Sequence, residues 1–382
     1  MPTITLPGPD RALHRYSTRP PSAFPAARPP FNRVALAAAH VVADPLAGGN
    51  PWLDAAIDWD ATIDYRTYLW SLGLGVAESM DTAQRGMGMD WENSLELIRR
   101  SLGAAPPGAV LACGAGTDHI EPGATIDEVI AAYEMQCAAI QRLGGHIILM
   151  ASRALAACAR GPEDYVHVYS RVLQQAANPV ILHWLGDMFD PALAGYWGHA
   201  DIASAMDTCL GVITANAPKV DGIKISLLDK DREIAMRRRL PRGVRMYTGD
   251  DFNYAELIAG DDEGYSHALL GIFDSIAPAA AAALGSLHRN DLSAFHEILA
   301  PTVPLSRHIF QSPTRFYKTG VVFMAYLNGH QDHFTMVGGQ HSARSLPHLA
   351  ELFRLADQAG LLRDPDDACQ RMARVLSVHG VH

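Results

Sequence analysis

The chain has 382 residues, 48% hydrophobic and 19% charged, and 41 acidic against 31 basic side chains give a formal net charge of −10. That balance argues against nucleic acid or an anionic membrane as a main partner, and against disorder or a coiled coil. Five scattered cysteines without a Cys-x-x-Cys pair, no run near the ~18 apolar residues of a membrane span, and a start without a secretion signal lead to the expectation of a cytoplasmic protein with reduced thiols.

Residues 1–30 contain eight of the 24 prolines, so they are expected to form an extended arm with little regular structure. Residues 31–275 carry eight β-favouring or small-apolar runs: Arg33–Ala39, Leu74–Met80, Ala109–Cys113, His146–Met150, Pro179–Trp184, Gly222–Leu227, Val244–Tyr247 and Tyr265–Leu270. Several are apolar on both faces, and the intervals hold helical patterns such as Trp91–Leu102, Ile126–Leu143, Pro162–Ala176 and His199–Ala215. This alternation predicts an α/β fold, a (β/α)8 TIM barrel. An open dinucleotide-binding sheet has no support, because no Gly-x-Gly-x-x-Gly turn follows the first run. From 276 to 382 the pattern is helical only, with Ala277–Leu287, Leu292–Leu299, Phe316–Asn328 and Leu346–Gly360 as a C-terminal extension packed on the barrel.

Lys224 is the chemically expensive residue. It stands alone in the apolar run Gly222–Leu227, and burying an ammonium group costs several kcal/mol or lowers its pKa by up to ~3–5 units. A neutral amine in a dry site is what imine chemistry needs; the duller reading is a lysine that snorkels or pairs with an acid. Barrel active sites form at the carboxyl ends of strands. Those ends offer His40, Glu78 with Asp81 and Thr82, Asp118 with His119, Arg153, His183, Lys224 with Ser226, Tyr247, Asp250 with Asp251, and His267.

These residues resemble the dihydrodipicolinate synthase and N-acetylneuraminate lyase superfamily, over most of residues 31–365. Gly222-Ile223-Lys224 is similar to that family's strand-six Gly-Ile-Lys, whose lysine forms a Schiff base. Thr248-Gly249-Asp250-Asp251 is similar to its strand-seven Ser-Gly-Asp-Asp, and Pro179–Trp184 to its Pro-Ile-Ile-Leu-Tyr-Asn strand. The departures are specific. His183 stands in place of the family tyrosine, Glu78-Ser79-Met80-Asp81-Thr82 in place of the Gly-Thr-Thr-Gly-Glu cradle, and Gly186-Asp187-Met188-Phe189 in place of Arg-Thr-Gly. They remove groups that would bind a pyruvate carboxylate and add acids that would repel one.

The resemblance implies a Schiff-base lyase or aldolase acting on a small carbonyl compound other than the dihydrodipicolinate precursors, with a keto-sugar or sugar-acid derivative fitting the polar rim. Lys224 is expected to form the imine and His183, with a pKa near neutrality, to move protons. Glu78 and Asp118 are candidates for binding hydroxyls, Arg153 for an anionic group, and Tyr247 and Asp250 for the floor. Lys224 and Arg153 are the alternative partners of Glu78 and Asp118, and helix capping the alternative for Asp250. The imine route needs no cofactor. An alternative reading places a divalent metal such as Zn or Mn on His40, Glu78, His119 and His183, in an isomerase or metal-dependent aldolase; a second is a non-catalytic ligand-binding barrel. A homodimer or homotetramer is expected from the family and from the apolar C-terminal helices.

Overall fold

The computed structural model describes residues 1–27 and 29–381. It begins with an antiparallel hairpin, β1 (Thr3–Pro7) and β2 (Leu13–Ser17), within the segment expected to lack regular structure. Proline content had masked a period of two: Ile4 and Leu6 are buried while Thr3 and Thr5 are exposed. The hairpin is clamped to the C-terminal helices. Tyr16 Oη donates to Asp357 Oδ2 at 2.7 Å, the Arg19 amide to Asp357 Oδ1 at 2.9 Å, and Arg354 Nη2 to the Pro7 carbonyl at 2.9 Å.

Each of the eight predicted runs supplies one strand: β3 (Ala35–Ala38), β4 (Gly75–Glu78), β5 (Leu111–Ala115), β6 (His146–Leu149), β7 (Val180–Leu185), β8 (Val220–Ser226), β9 (Arg245–Thr248) and β10 (His267–Leu270). All pair in parallel with their sequence neighbours, and β10 closes onto β3. Alternate residues divide between two shells, which explains strands apolar on both faces. Leu36, Ala77, Ala112, Ile148, Ile181 and Leu269 fill the barrel interior. Val76, Leu111, Ile147, Leu182, Ile223 and Ile225 face the surrounding helices. Each large apolar side chain fully buried in this way contributes about 1.5–3 kcal/mol.

No membrane-crossing helix is present among the described residues. The C-terminal part adds two helices to those expected, Thr302–Ile309 and Pro365–Val378. Pro304 and Pro365 do not break these helices, because each sits in a first helical turn, where a missing N–H costs little. The helix Tyr317–Leu327 is buried along its whole length. It packs on the turn Asp81–Ala83 after β4 and on the short helix Ile272–Ser275 after β10, and so covers the carboxyl end of the barrel.

Candidate active site

Strand alternation turns Gly222, Lys224 and Ser226 of β8 inward while Ile223 and Ile225 face the helices. On β7 the inward set is Ile181, His183 and Leu185, and the parallel register pairs His183 with Lys224 and Leu185 with Ser226. Two glycines make the lysine's path possible. A Cβ on Gly249 would lie 2.3 Å from Ser226 Oγ and 2.8 Å from Lys224 Cε, and one on Gly222 would lie 2.6 Å from the Tyr247 ring. The sequence motifs around Lys224 and Gly249 therefore have a packing reason.

Lys224 is 7% exposed and opens into a chamber of about 260 Å³ shared with Ser226, Asp251, Asp81, Tyr317 and Lys318. Burial holds its amine below the ordinary lysine range; the carboxylates of Asp251 and Asp81 oppose that shift without reversing it. Burial likewise pushes Asp251 up, against the amide of Ile272, which donates to its Oδ1 at 2.9 Å, and against the charge of Lys224. A second cavity of about 600 Å³ adjoins the first. The two share Asp81, Gly86, Leu185 and the ion pair of Arg153 with Asp190.

His183 lines the larger cavity. Its Nε2 lies 3.3 Å from Ser226 Oγ, so one hydrogen bond links the two spaces. The expected near-neutral pKa is not what this position gives: burial, then the charge of Lys224, hold the imidazole well below its usual range. It is a neutral ring at physiological pH, and its buried Nδ1 has no partner among the described residues.

Asp118 and Arg153 also reach the larger cavity, but neither is free. Arg85 grips Asp118 with Nη2 to Oδ1 at 2.6 Å and Nε to Oδ2 at 3.0 Å. Burial would raise the Asp118 carboxyl, and the guanidinium overcomes it, leaving it below the usual range.

Three expectations are corrected. Glu78 is fully buried behind the barrel wall, where Arg66 Nε and Nη2 each donate to it at 2.9 Å and Ser101 Oγ donates at 2.5 Å. Neither Lys224 nor Arg153 is its partner. Tyr247 fills the barrel interior and sends its hydroxyl to Asp221 Oδ2 at 2.7 Å, toward the amino end of β8. Asp250 ties its own loop, accepting from the amides of Phe252 at 2.8 Å and Asn253 at 3.0 Å; its neighbour Asp251 faces the lysine instead.

The alternative metal residues do not converge. Glu78 is held as above, His40 Nδ1 pairs with Asp274 Oδ2 at 2.8 Å, and His119 Nδ1 accepts from Gln136 Nε2 at 2.7 Å. No three His, Cys, Asp or Glu side chains gather as metal donors among the described residues.

Sequence reasoning passed over Lys318, Arg315 and Tyr317, which the C-terminal helices bring to the chamber. Lys318 carried a usable signal: like Lys224 it is a lone lysine in an otherwise apolar segment, Tyr317–Leu327. Tyr317 Oη shares a hydrogen bond of 2.8 Å with Thr82 Oγ1, and burial first, then Asp81, push its phenol far above the usual range.

Fold and site define a (β/α)8 barrel with a buried, inward-facing lysine at the end of its sixth strand. The chain belongs to the family described as "Protein of unknown function (DUF993)", whose profile matches residues 4–381. No curated protein sequence matches it. Among solved structures it is similar to dihydrodipicolinate synthase from Aquifex aeolicus, with 12% identity, TM-score 0.66, and 87% of this chain and 100% of that one covered. A prophage protein of the dihydrodipicolinic acid synthase family from E. coli K12, in complex with pyruvate, gives 12% identity, TM-score 0.68 and coverages of 86% and 99%. Dihydrodipicolinate synthase from Acinetobacter baumannii, complexed with pyruvate, gives 14%, 0.64, 86% and 99%. The superfamily resemblance carried by Gly222-Ile223-Lys224 is thus borne out at the level of the fold.

Proposed function

We propose that the protein is a Schiff-base lyase or aldolase acting on a small carbonyl compound, a keto-sugar or sugar-acid derivative, with Lys224 as the imine-forming residue. The observation that carries this reading is the Lys224 side chain itself, buried, inward-facing and ending in a chamber of about 260 Å³, with no ion pair among the described residues. A lowered amine pKa leaves more of the unprotonated nucleophile at neutral pH.

In the proposed reaction Lys224 Nζ adds to the substrate carbonyl carbon, and loss of water from the carbinolamine gives the imine. The protonated imine then accepts the electron pair of the Cα–Cβ bond as it breaks, while the β-hydroxyl gives its proton to a base and leaves as the carbonyl of the released fragment. The resulting enamine is protonated on carbon and hydrolysed, which returns the free amine. Proton movements need a group that both accepts and donates. Neutral His183, joined to Ser226 Oγ, supports that role, because Ser226 borders the lysine's chamber and His183 the adjoining cavity. Asp251 stabilises positive charge on the imine nitrogen by proximity. The same side chains would run the bond-forming direction.

The test is reduction with sodium borohydride in the presence of individual keto-sugars, sugar acids and simple keto acids, followed by peptide mass analysis. The reading requires a substrate-dependent mass increase at Lys224. Absence of labelling there, with labelling at another lysine or with turnover intact in Lys224→Ala, would overturn it.

A further inference from the structure

Three independent features meet on one wall of the Lys224 chamber. The first is Lys318, only 4% exposed. Its Nζ donates to the Arg315 carbonyl at 3.0 Å and approaches Met87 Sδ at 3.4 Å, and among the described residues it makes no ion pair. An ammonium group has three donors, so this one keeps unused capacity toward the cavity. Burial lowers the amine to about 8, with Asp81 opposing, which leaves it mainly protonated at neutral pH. The second is Arg315, one helical turn earlier, whose guanidinium stacks on Phe316 and lines the same chamber. The third is the start of the helix Tyr317–Leu327, which lacks a side-chain cap at Phe316. The Tyr317 amide is already given to the Thr314 carbonyl, so what this end offers an anion is the positive pole of the helix dipole.

The charge balance points the same way. Four cations, Arg153, Lys224, Arg315 and Lys318, face three carboxylates, Asp81, Asp190 and Asp251. Asp190 is taken by Arg153, and Asp251 and Asp81 both act on Lys224. Asp81 also acts on Lys318, so two carboxylates stand against two lysines and an arginine, one negative charge short. A buried, uncompensated cation is costly unless a ligand supplies the missing charge.

We infer that Lys318, Arg315 and the amino end of the helix Tyr317–Leu327 form an anion subsite, so that the substrate is a carbonyl compound bearing a carboxylate or phosphate, held there while its carbonyl meets Lys224. This rests on the imine reading for Lys224 and deepens it, choosing anionic carbonyl compounds over uncharged keto-sugars and naming the side chains that hold the charge. The subsite belongs to the C-terminal helices rather than to the barrel loops.

The test uses the full chain and two anions, inorganic phosphate and hydroxypyruvate, titrated calorimetrically into the wild type, Lys318→Gln, Arg315→Gln and Lys224→Ala. At least one anion should bind the wild type, about tenfold or more weakly after Lys318→Gln and measurably more weakly after Arg315→Gln. Phosphate binding should survive Lys224→Ala, since phosphate forms no imine. Response to phosphate alone marks a phosphorylated substrate, and response to hydroxypyruvate alone a carboxylate. If Lys318→Gln does not fold, the exposed Arg315 decides the matter by its own variant.

Failure of both anions to bind the wild type, or binding unchanged in both the Lys318 and Arg315 variants, would overturn the subsite. So would phosphate binding lost in Lys224→Ala but kept in Lys318→Gln. Borohydride arms with hydroxypyruvate and uncharged dihydroxyacetone separate the two readings. No labelling of Lys224 by any carbonyl, alongside Lys318-dependent phosphate binding, removes the imine and supports the anion subsite. Equal labelling by both compounds, insensitive to Lys318→Gln, removes the subsite and supports the imine.

Discussion

Replacing Glu78 separates a structural carboxylate from a catalytic one. Glu78 and Arg66 are both fully buried and joined by two hydrogen bonds of 2.9 Å, and Glu78 also accepts from Ser101 Oγ at 2.5 Å and the Ser79 amide at 2.9 Å. Glu78→Ala removes all four acceptances and leaves a guanidinium in the protein interior without its counter-charge. Breaking a buried pair from one side costs about 3–5 kcal/mol, mostly as the penalty on the abandoned charge. In a chain of this size that corresponds to a fall in melting temperature of about 4–6 °C. The double variant Arg66→Met, Glu78→Met should recover much of the loss, because no charge then remains buried. Thermal and urea denaturation read the stability, and borohydride labelling of Lys224 reads the site. A Glu78→Ala protein with wild-type stability but no labelling would refute the structural assignment and restore Glu78 to the reaction.

Three further outcomes follow from the same physics. Asp251→Asn removes a carboxylate that holds up the Lys224 ammonium, so the rising limb of labelling against pH should move toward acid, by about one unit or more; an unmoved limb would remove Asp251 from the lysine's environment. Burial pushes the Glu233 carboxyl from 4.5 to about 8. Its stabilising proton is fully present below the unfolded value and is lost as pH rises through the folded one. Glu233→Gln should therefore gain stability relative to the wild type between about pH 4.5 and pH 8, by up to about 5 kcal/mol, and a difference that is flat with pH would be the contrary result. Asp357→Ala unfastens the β1–β2 hairpin from the C-terminal helices, at a cost of about 1–3 kcal/mol, and limited proteolysis should then cut before residue 20. Resistance equal to the wild type would show that the apolar face of the hairpin suffices.

The barrel was legible in the sequence because its strands are short apolar runs at even intervals, and because Lys224 violates the run that contains it. The hairpin was not, since eight prolines in 30 residues obscured the alternation of Ile4 and Leu6. Within the site, chain order identifies residues near strand ends but not the direction of each side chain. Glu78 ends β4 yet meets Arg66 behind the wall, and Tyr247 of β9 leans toward the opposite end of the barrel. Lys318 lies about 90 residues beyond Lys224 in sequence, so only the return of the C-terminal helix over the barrel mouth brings the two together. No local pattern encodes that approach.

Arginine–carboxylate pairs, two of them with a buried arginine, explain why Lys224 remains available. Acids cluster around the carboxyl ends of the strands, and any of them within ion-pair distance would hold the lysine protonated and fixed. Arg66 takes Glu78, Arg85 takes Asp118, Arg153 takes Asp190, and Asp250 is occupied by its own loop. Asp251 and Asp81 remain, near enough to shift the amine but not paired with it. An arginine stays charged at any accessible pH and binds a carboxylate through two donors, so these pairings persist where a lysine partner would titrate. Arginines thus take up the surrounding acids, and the buried Lys224 and Lys318 face the chamber with no ion pair among the described residues.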